Sequence, residues 1–173
     1  MKNTIAYEGK IKIKIKNKTV HRANNSGTVE LFGLLSALLG DITGNNIGSL
    51  SSRIPSYMSI LRCNKTVEDM FIQNLDFDAF LNNRVLLNNN LPIVERDIQS
   101  DGSLILSCTL SNNNLQQEMF ETKEYYLVLL NNQNKVLAYA KFNGDVLQQV
   151  ADDLNTQAII EWSLSFTNKE IDS

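Results

Sequence analysis

Apolar and polar positions alternate along much of this chain, most sharply from Lys10 to Lys16, where lysine and isoleucine change places at every residue. A β-strand would set Ile11, Ile13 and Ile15 on one face and Lys10, Lys12, Lys14 and Lys16 on the other, so the pattern predicts a strand over residues 9–20. The run Asn24-Asn-Ser-Gly-Thr28 predicts a turn leading into a helix over residues 29–39, with Ser26 or Thr28 as N-cap, Glu30 in the positive first turn and Gly40 as the stop. Leucines and Phe32 spread around that helix, which predicts that it is largely buried. Residues 41–53 hold Gly44, Gly48 and several serines among few large side chains and are expected to form an exposed loop. Residues 54–61 read as extended. Residues 66–81 fit neither period cleanly, with a short helical pattern at 67–72.

Strand signals strengthen after residue 84. Residues 91–98 and 103–110 flank Asp101-Gly102, and residues 125–130 and 135–142 flank Asn131-Asn-Gln-Asn134, so two hairpins are predicted. Residues 145–154 predict one or two helical turns. In the last strand Ala158, Ile160, Trp162, Leu164 and Phe166 share a face opposite Glu161, Ser163 and Ser165, as in a sheet with one side on a core. Asparagine clusters at 24–25, 45–46, 82–83, 88–90, 112–114 and 131–132 read as turns between these runs. The expectation is a mainly β fold, an antiparallel β-sandwich or sheet with one early helix and one short late helix. It would form a single domain over residues 1–173 with an exposed loop around 41–53.

Composition narrows the classes. With 43% hydrophobic and 20% charged residues the chain is ordinary for a globular protein, and its net charge of -3 is wrong for coating nucleic acid. The longest apolar block, residues 31–39, is about half of a membrane-spanning helix. The N-terminus has no basic-then-apolar signal pattern, so no membrane partner is expected and the chain is expected to fold where it is made. Cys63 and Cys108 lack a CxxC or histidine neighbour and read as reduced buried thiols, with a disulfide as the alternative. Without a secretory signal, the sequons at Asn17, Asn24 and Asn64 are expected to be chance matches.

Catalytic chemistry finds little to work with. His21 is the single histidine, which excludes multi-histidine metal sites, and it reads as a surface or turn residue. Asp76 and Asp78, and Asp152 and Asp153, read as solvated charge, and no GxSxG, GxGxxG or phosphate-cradling loop occurs. No enzyme activity, metal or cofactor is expected. Binding is better represented. The candidate interaction surface is Lys10, Lys12, Lys14, Lys16 and Lys18, and three readings stand for it: a row guarding an edge strand against aggregation, a contact for an acidic protein, or a contact for nucleic acid. Asn45, Asn46, Ser49 and Arg53 form a candidate contact loop. Gly27, Phe32 and Trp162 are expected to be structural, Trp162 as a core anchor, and Tyr125 and Tyr126 to point to opposite faces with one outward.

The order of four segments carries a resemblance. After the lysine–isoleucine strand come Asn25-Ser-Gly-Thr28, Leu31-Phe-Gly-Leu-Leu35, Arg53-Ile-Pro55 and the closing run from Ile160 to Asn168 with Glu161-Trp162 at its start. The layout resembles small structural proteins encoded in the virion gene blocks of tailed bacteriophages, including the crAss-like phages. It covers both ends of the chain, whereas residues 66–122 match only in being strand-like. The resemblance implies a non-enzymatic virion protein, foremost an auxiliary (decoration) capsid protein on the shell lattice, assembled in the host bacterial cytoplasm. Neck, portal-ring or tail components are the alternatives, beside a carbohydrate- or nucleic-acid-binding module. Its implied partners are the major capsid protein, other virion proteins or further copies of itself.

Overall fold

Ile11, Ile13 and Ile15 are buried while Lys10 and Lys12 are exposed, the outcome that period-two alternation dictates for a strand with one face on a core. The computed structural model describes residues 2–28, 31–35, 53–62, 89–115 and 124–171. Their strands are β1 (Lys2–Ile15), β2 (Lys18–Gly27), β3 (Pro55–Arg62), β4 (Leu91–Pro92), β5 (Glu95–Ile98), β6 (Leu104–Ser111), β7 (Glu124–Asn131), β8 (Val136–Asn143) and β9 (Gln157–Ile171). Helix α1 is described over residues 31–35, a 3-10 turn covers Asn112–Asn114, and helix α2 spans Asp145–Ala151. The fold is mainly β and antiparallel, with one early and one late helix. The remainder of the expected early helix, loop residues 41–52 with Asn45, Asn46 and Ser49, the 66–81 segment and Cys63 lie outside the described residues.

The strand order is β4-β3-β7-β8-β2-β1-β9-β6-β5. Its two ends are neighbouring parts of one segment. Leu91–Pro92 pairs with β3 and Glu95–Ile98 with β6, while between them Ile93 N donates to Ser56 O (3.0 Å) and Val94 N to Ser107 O (2.9 Å). The sheet therefore curls until its ends meet, a closure that covers strand edges. β2 makes the other corner, pairing with β1 through Lys18–Asn25 and with β8 through Ser26 and Gly27.

Local chemistry explains the turns. Lys16 and Asn17 both have positive φ (49° and 63°), the signature of a two-residue hairpin, so the expected strand over 9–20 is in fact two strands. Asn24–Gly27, expected as a turn, lies within β2. Gly102 sits at φ 79°, and Asp101 accepts hydrogen bonds from Ser103 N (2.9 Å) and Ser103 Oγ (2.7 Å), which hold its carboxyl below the usual range. Between β7 and β8, Asn131 Oδ1 accepts from Gln133 N and Lys135 N, both at 2.9 Å.

Trp162 lies fully buried among Ile11, Leu106 and Ile160, the core-anchor position expected for it. Helix α1 buries Leu31 and Leu34 but leaves Phe32 47% exposed, packed edge-on against Tyr7. The expectation of burial around most of the circumference fails at Phe32 because α1 lies on the sheet with one side only. Thr28 donates its hydroxyl to Val136 O (2.6 Å), stapling the entry of α1 to β8, and its carbonyl accepts from Phe32 N (3.2 Å). A second buried cluster, Leu61, Tyr126, Val128, Leu130 and Val136, lies on the opposite face of β3, β7 and β8. Tyr125 and Tyr126 do point to opposite faces, but both are buried, because β7 has an apolar cluster on each side.

One polar group is built into this core. Asn25 faces inward from β2, and its oxygen accepts from Trp162 Nε1 (2.7 Å) and Lys10 N (3.0 Å) while its amide donates to Tyr7 Oη. Burial pushes the Tyr7 phenol up to about 12, against the opposing pull of its contacts with Trp162 and Asn25.

Candidate functional site on the basic sheet face

β1 is not an edge strand. It pairs with β2 along residues 9–15 and with β9 along its whole length, so the expectation that its lysines guard an open edge fails. The lysines instead stand on the outer face of a strand held from both sides. Their ammonium groups are long and mobile, but the Cα positions beneath them are fixed by the ladders.

Register places the neighbours. Arg22, Lys12, Glu161, Ser107 and Glu95 form one row across β2, β1, β9, β6 and β5. Asn24, Lys10, Ser163, Ile105 and Asp97 form the next row. These residues share the outer face because residues two apart on a strand point the same way and direct cross-strand partners do too.

The five lysines of the candidate surface have different fates. Lys14 is half-buried and pairs with Glu161. Lys16 sits in the hairpin turn and reaches Asp153 at 3.8 Å. Hydrogen bonds from Thr156 and Asn155, with a smaller pull from Lys16, hold the Asp153 carboxyl below its ordinary range. Lys18 is on β2, beyond the turn, so the expected single row of five is broken after Lys14. Lys10 and Lys12 are exposed, and among the described residues neither makes an ion pair. Arg22, which sequence reasoning missed, joins them from β2 and is likewise unpaired. Lys10, Lys12, Arg22 and Asn24 line an open groove of about 520 Å³ on this face.

The acids on this face were missed as well. Glu95 and Asp97 are exposed on β5 and make no ion pair among the described residues, Asp97 only accepting from Gln99 Nε2 at 2.6 Å. Between the cations and these acids lie Ser163 and the half-buried Ile105 in one row and Ser107 and the neutralised Glu161 in the other.

The other sequence candidates lie elsewhere. Arg53 is exposed in a turn just before β3. Gly27 ends β2, where a Cβ would press on Leu31 Cδ2 at 2.9 Å and on the Tyr7 ring, which gives its smallness a packing reason. His21, expected as a surface or turn residue, is half-buried on the inner face of β2, edge-on to Phe142, and its buried Nε2 finds no hydrogen-bond partner among the described residues. Cys108 is a free, fully buried thiol 3.4 Å from Met58 Sδ, and desolvation pushes it up to about 12. Among the described residues no three histidine, cysteine or acidic side chains gather as a metal site would require, and no helix is long and apolar enough to cross a membrane.

Against models of protein families, curated proteins and solved structures, the chain matches none. The outer face of β1 and β2 offers fixed positive charge on a hydrogen-bonded support, which suits the recognition of an acidic surface.

Proposed function

We propose that this chain is a non-catalytic structural protein of a tailed-bacteriophage particle, an auxiliary capsid protein that sits on the shell lattice and meets an acidic neighbour through Lys10, Lys12 and Arg22. Two things support the reading. The order of motifs from the lysine–isoleucine strand to the Ile160–Asn168 close resembles small virion proteins of such phages. The outer face of β1 and β2 also presents cations that no acid among the described residues pairs with.

The second observation carries the argument. Lys14 and Lys16 have acidic partners, whereas Lys10, Lys12 and Arg22 have none among the described residues, although Glu161 stands in the same row as Lys12. A like-charged cluster left unpaired on a rigid sheet is unfavourable in isolation and becomes favourable when an acidic surface meets it. Such contacts are individually small and screened beyond a Debye length of about 8 Å at physiological salt, and repetition on a lattice makes them add up. The partners this reading admits are the major capsid protein, other virion proteins and further copies of the chain. A neck, portal-ring or tail position would use the same face at lower copy number.

The test is the copy number of the chain in purified particles, by quantitative mass spectrometry. The shell reading requires a number that scales with the capsid lattice. A number matching the symmetry of a single vertex would move the chain to the neck or tail, and its absence from particles would discard the virion reading.

A further inference from the structure

The same sheet face carries a second column of charge, of opposite sign and without ion pairs among the described residues, and the two columns match row by row. We infer that this face is an isologous interface: the outer surface of β2-β1-β9-β6-β5 docks on its own counterpart in a second copy of the chain. The inference rests on the reading of Lys10, Lys12 and Arg22 as a docking site and names the acidic partner as another copy.

The geometry follows from the registers. Lys12 and Glu95 stand in one row, Lys10 and Asp97 in the next, with β9 and β6 between them. Three strand spacings separate the basic column on β1 from the acidic column on β5, about 14 Å. Two such faces can be stacked about a two-fold axis that runs parallel to the strands between β9 and β6. That operation preserves height along the strands and reverses the order of columns, so β1 of one copy faces β5 of the other. Lys12 then lies over Glu95 of the second copy and Lys10 over Asp97, and each contact occurs twice, as isologous symmetry requires. Arg22, one strand further out, flanks the Glu95 position.

The other in-plane axis, perpendicular to the strands, would set the basic columns against each other. Charge therefore selects one of the two ways of stacking. In the middle of the face Ser163 and Ser107 are small, Glu161 is already neutralised by Lys14, and the half-buried Ile105 supplies an apolar contact. Sheets stack face to face at about 10 Å, a distance that long lysine and glutamate side chains bridge readily.

The contact is modest in size. Five strands by about five residues is roughly 300 Å² per copy, below the ~800 Å² per partner of a stable complex. Association in free solution is therefore weak, and salt suppresses it.

Charge exchange tests the pairing. The variant K10E/K12E carries acids on both columns, and E95K/D97K carries bases on both. Sedimentation velocity at low salt over a concentration series should show self-association of the wild-type chain that high salt abolishes. Each variant alone should remain monomeric, and an equimolar mixture should associate at least as strongly as wild type. A wild-type chain that stays monomeric throughout, or a mixture that fails to restore association, overturns the inference. An unchanged emission maximum of Trp162, the sole tryptophan, verifies the fold of each variant. If reversal unfolds either one, K10Q/K12Q and E95Q/D97Q replace them: each must weaken association, and unchanged association refutes the pairing. A monomeric wild type that still binds a capsid protein or DNA through Lys10 and Lys12 would overturn self-pairing and leave the docking face standing. Self-association of a chain absent from particles would do the reverse.

Discussion

Gly9 of β1 stands opposite Asn25 of β2, and the space that a methyl group would occupy at Gly9 is filled by the Asn25 side chain, 1.8 Å from the position of an added Cβ, with Tyr7 Oη at 2.3 Å. A glycine is required there because a buried amide crosses the strand at that point. Gly9→Ala should therefore overpack the core at a cost of about 2 kcal/mol, lowering the melting temperature by roughly 4–8 °C. Gly33, on the exposed side of α1, meets nothing within 4 Å. Gly33→Ala should raise stability by up to about 1 kcal/mol. Thermal denaturation of the two variants side by side checks the contrast.

Asn25 also accepts from the buried Trp162 Nε1–H and donates its amide to Tyr7 Oη, which ties the three inward-facing side chains together. Asn25→Ala removes both of these bonds from a buried network and should cost about 2–4 kcal/mol. Urea unfolding followed by Trp162 emission measures it, with a shifted midpoint and an unchanged slope as the expected result. A midpoint within experimental error of wild type would show that the network contributes nothing net.

Alkaline stability follows from Tyr7 and Cys108. Both acids are held protonated in the folded state, the phenol from 10.0 up to about 12 and the thiol from 9.0 up to about 12, each mainly by burial. A folded pKa above the unfolded value means that the native state binds the proton more tightly. The stabilisation is complete below pH 9 and is lost as pH rises from about 9 towards 12, where the unfolded chain ionises first. Urea midpoints measured across that range should fall steadily, and less steeply in Tyr7→Phe and Cys108→Ala, each compared with its own value at pH 8.

Cys108 should be chemically silent while the chain is folded, since a buried, protonated thiol is a poor nucleophile. In a Cys63→Ser background, Ellman's reagent should find no reactive thiol in native buffer and one after denaturation. Prompt reaction in native buffer would contradict the burial.

The long-range order was less legible than the strands. β6 to β9 could be read directly, because alternation with a clear polar face survives in residues 104–111 and 157–166, and Asn131 and Gly102 mark turns by known backbone chemistry. The turn at Lys16-Asn17 escaped notice, since the lysine–isoleucine pattern runs straight into it and no glycine announces its positive φ. Closure of the sheet escaped as well: residues 91–98 look like one strand of a hairpin, and nothing local reveals that Leu91–Pro92 pairs with β3. The charged face was half legible. Lysines 10, 12 and 14 were visible in the alternation, but the pairing of Lys14 with Glu161 joins residues 147 apart and depends on the β1–β9 register. Arg22, Glu95 and Asp97 become part of the same face only once the strand order is known.

The central claim is that the unpaired basic face is a docking surface in the assembled particle. The most direct measurement is the occupancy of purified particles by K10Q/K12Q/R22Q, competed against the wild-type chain and counted by mass spectrometry. The account predicts a folded variant with unchanged Trp162 emission that is depleted from particles at least tenfold, a loss of about 1.4 kcal/mol or more per site. Equal occupancy of variant and wild type would contradict it.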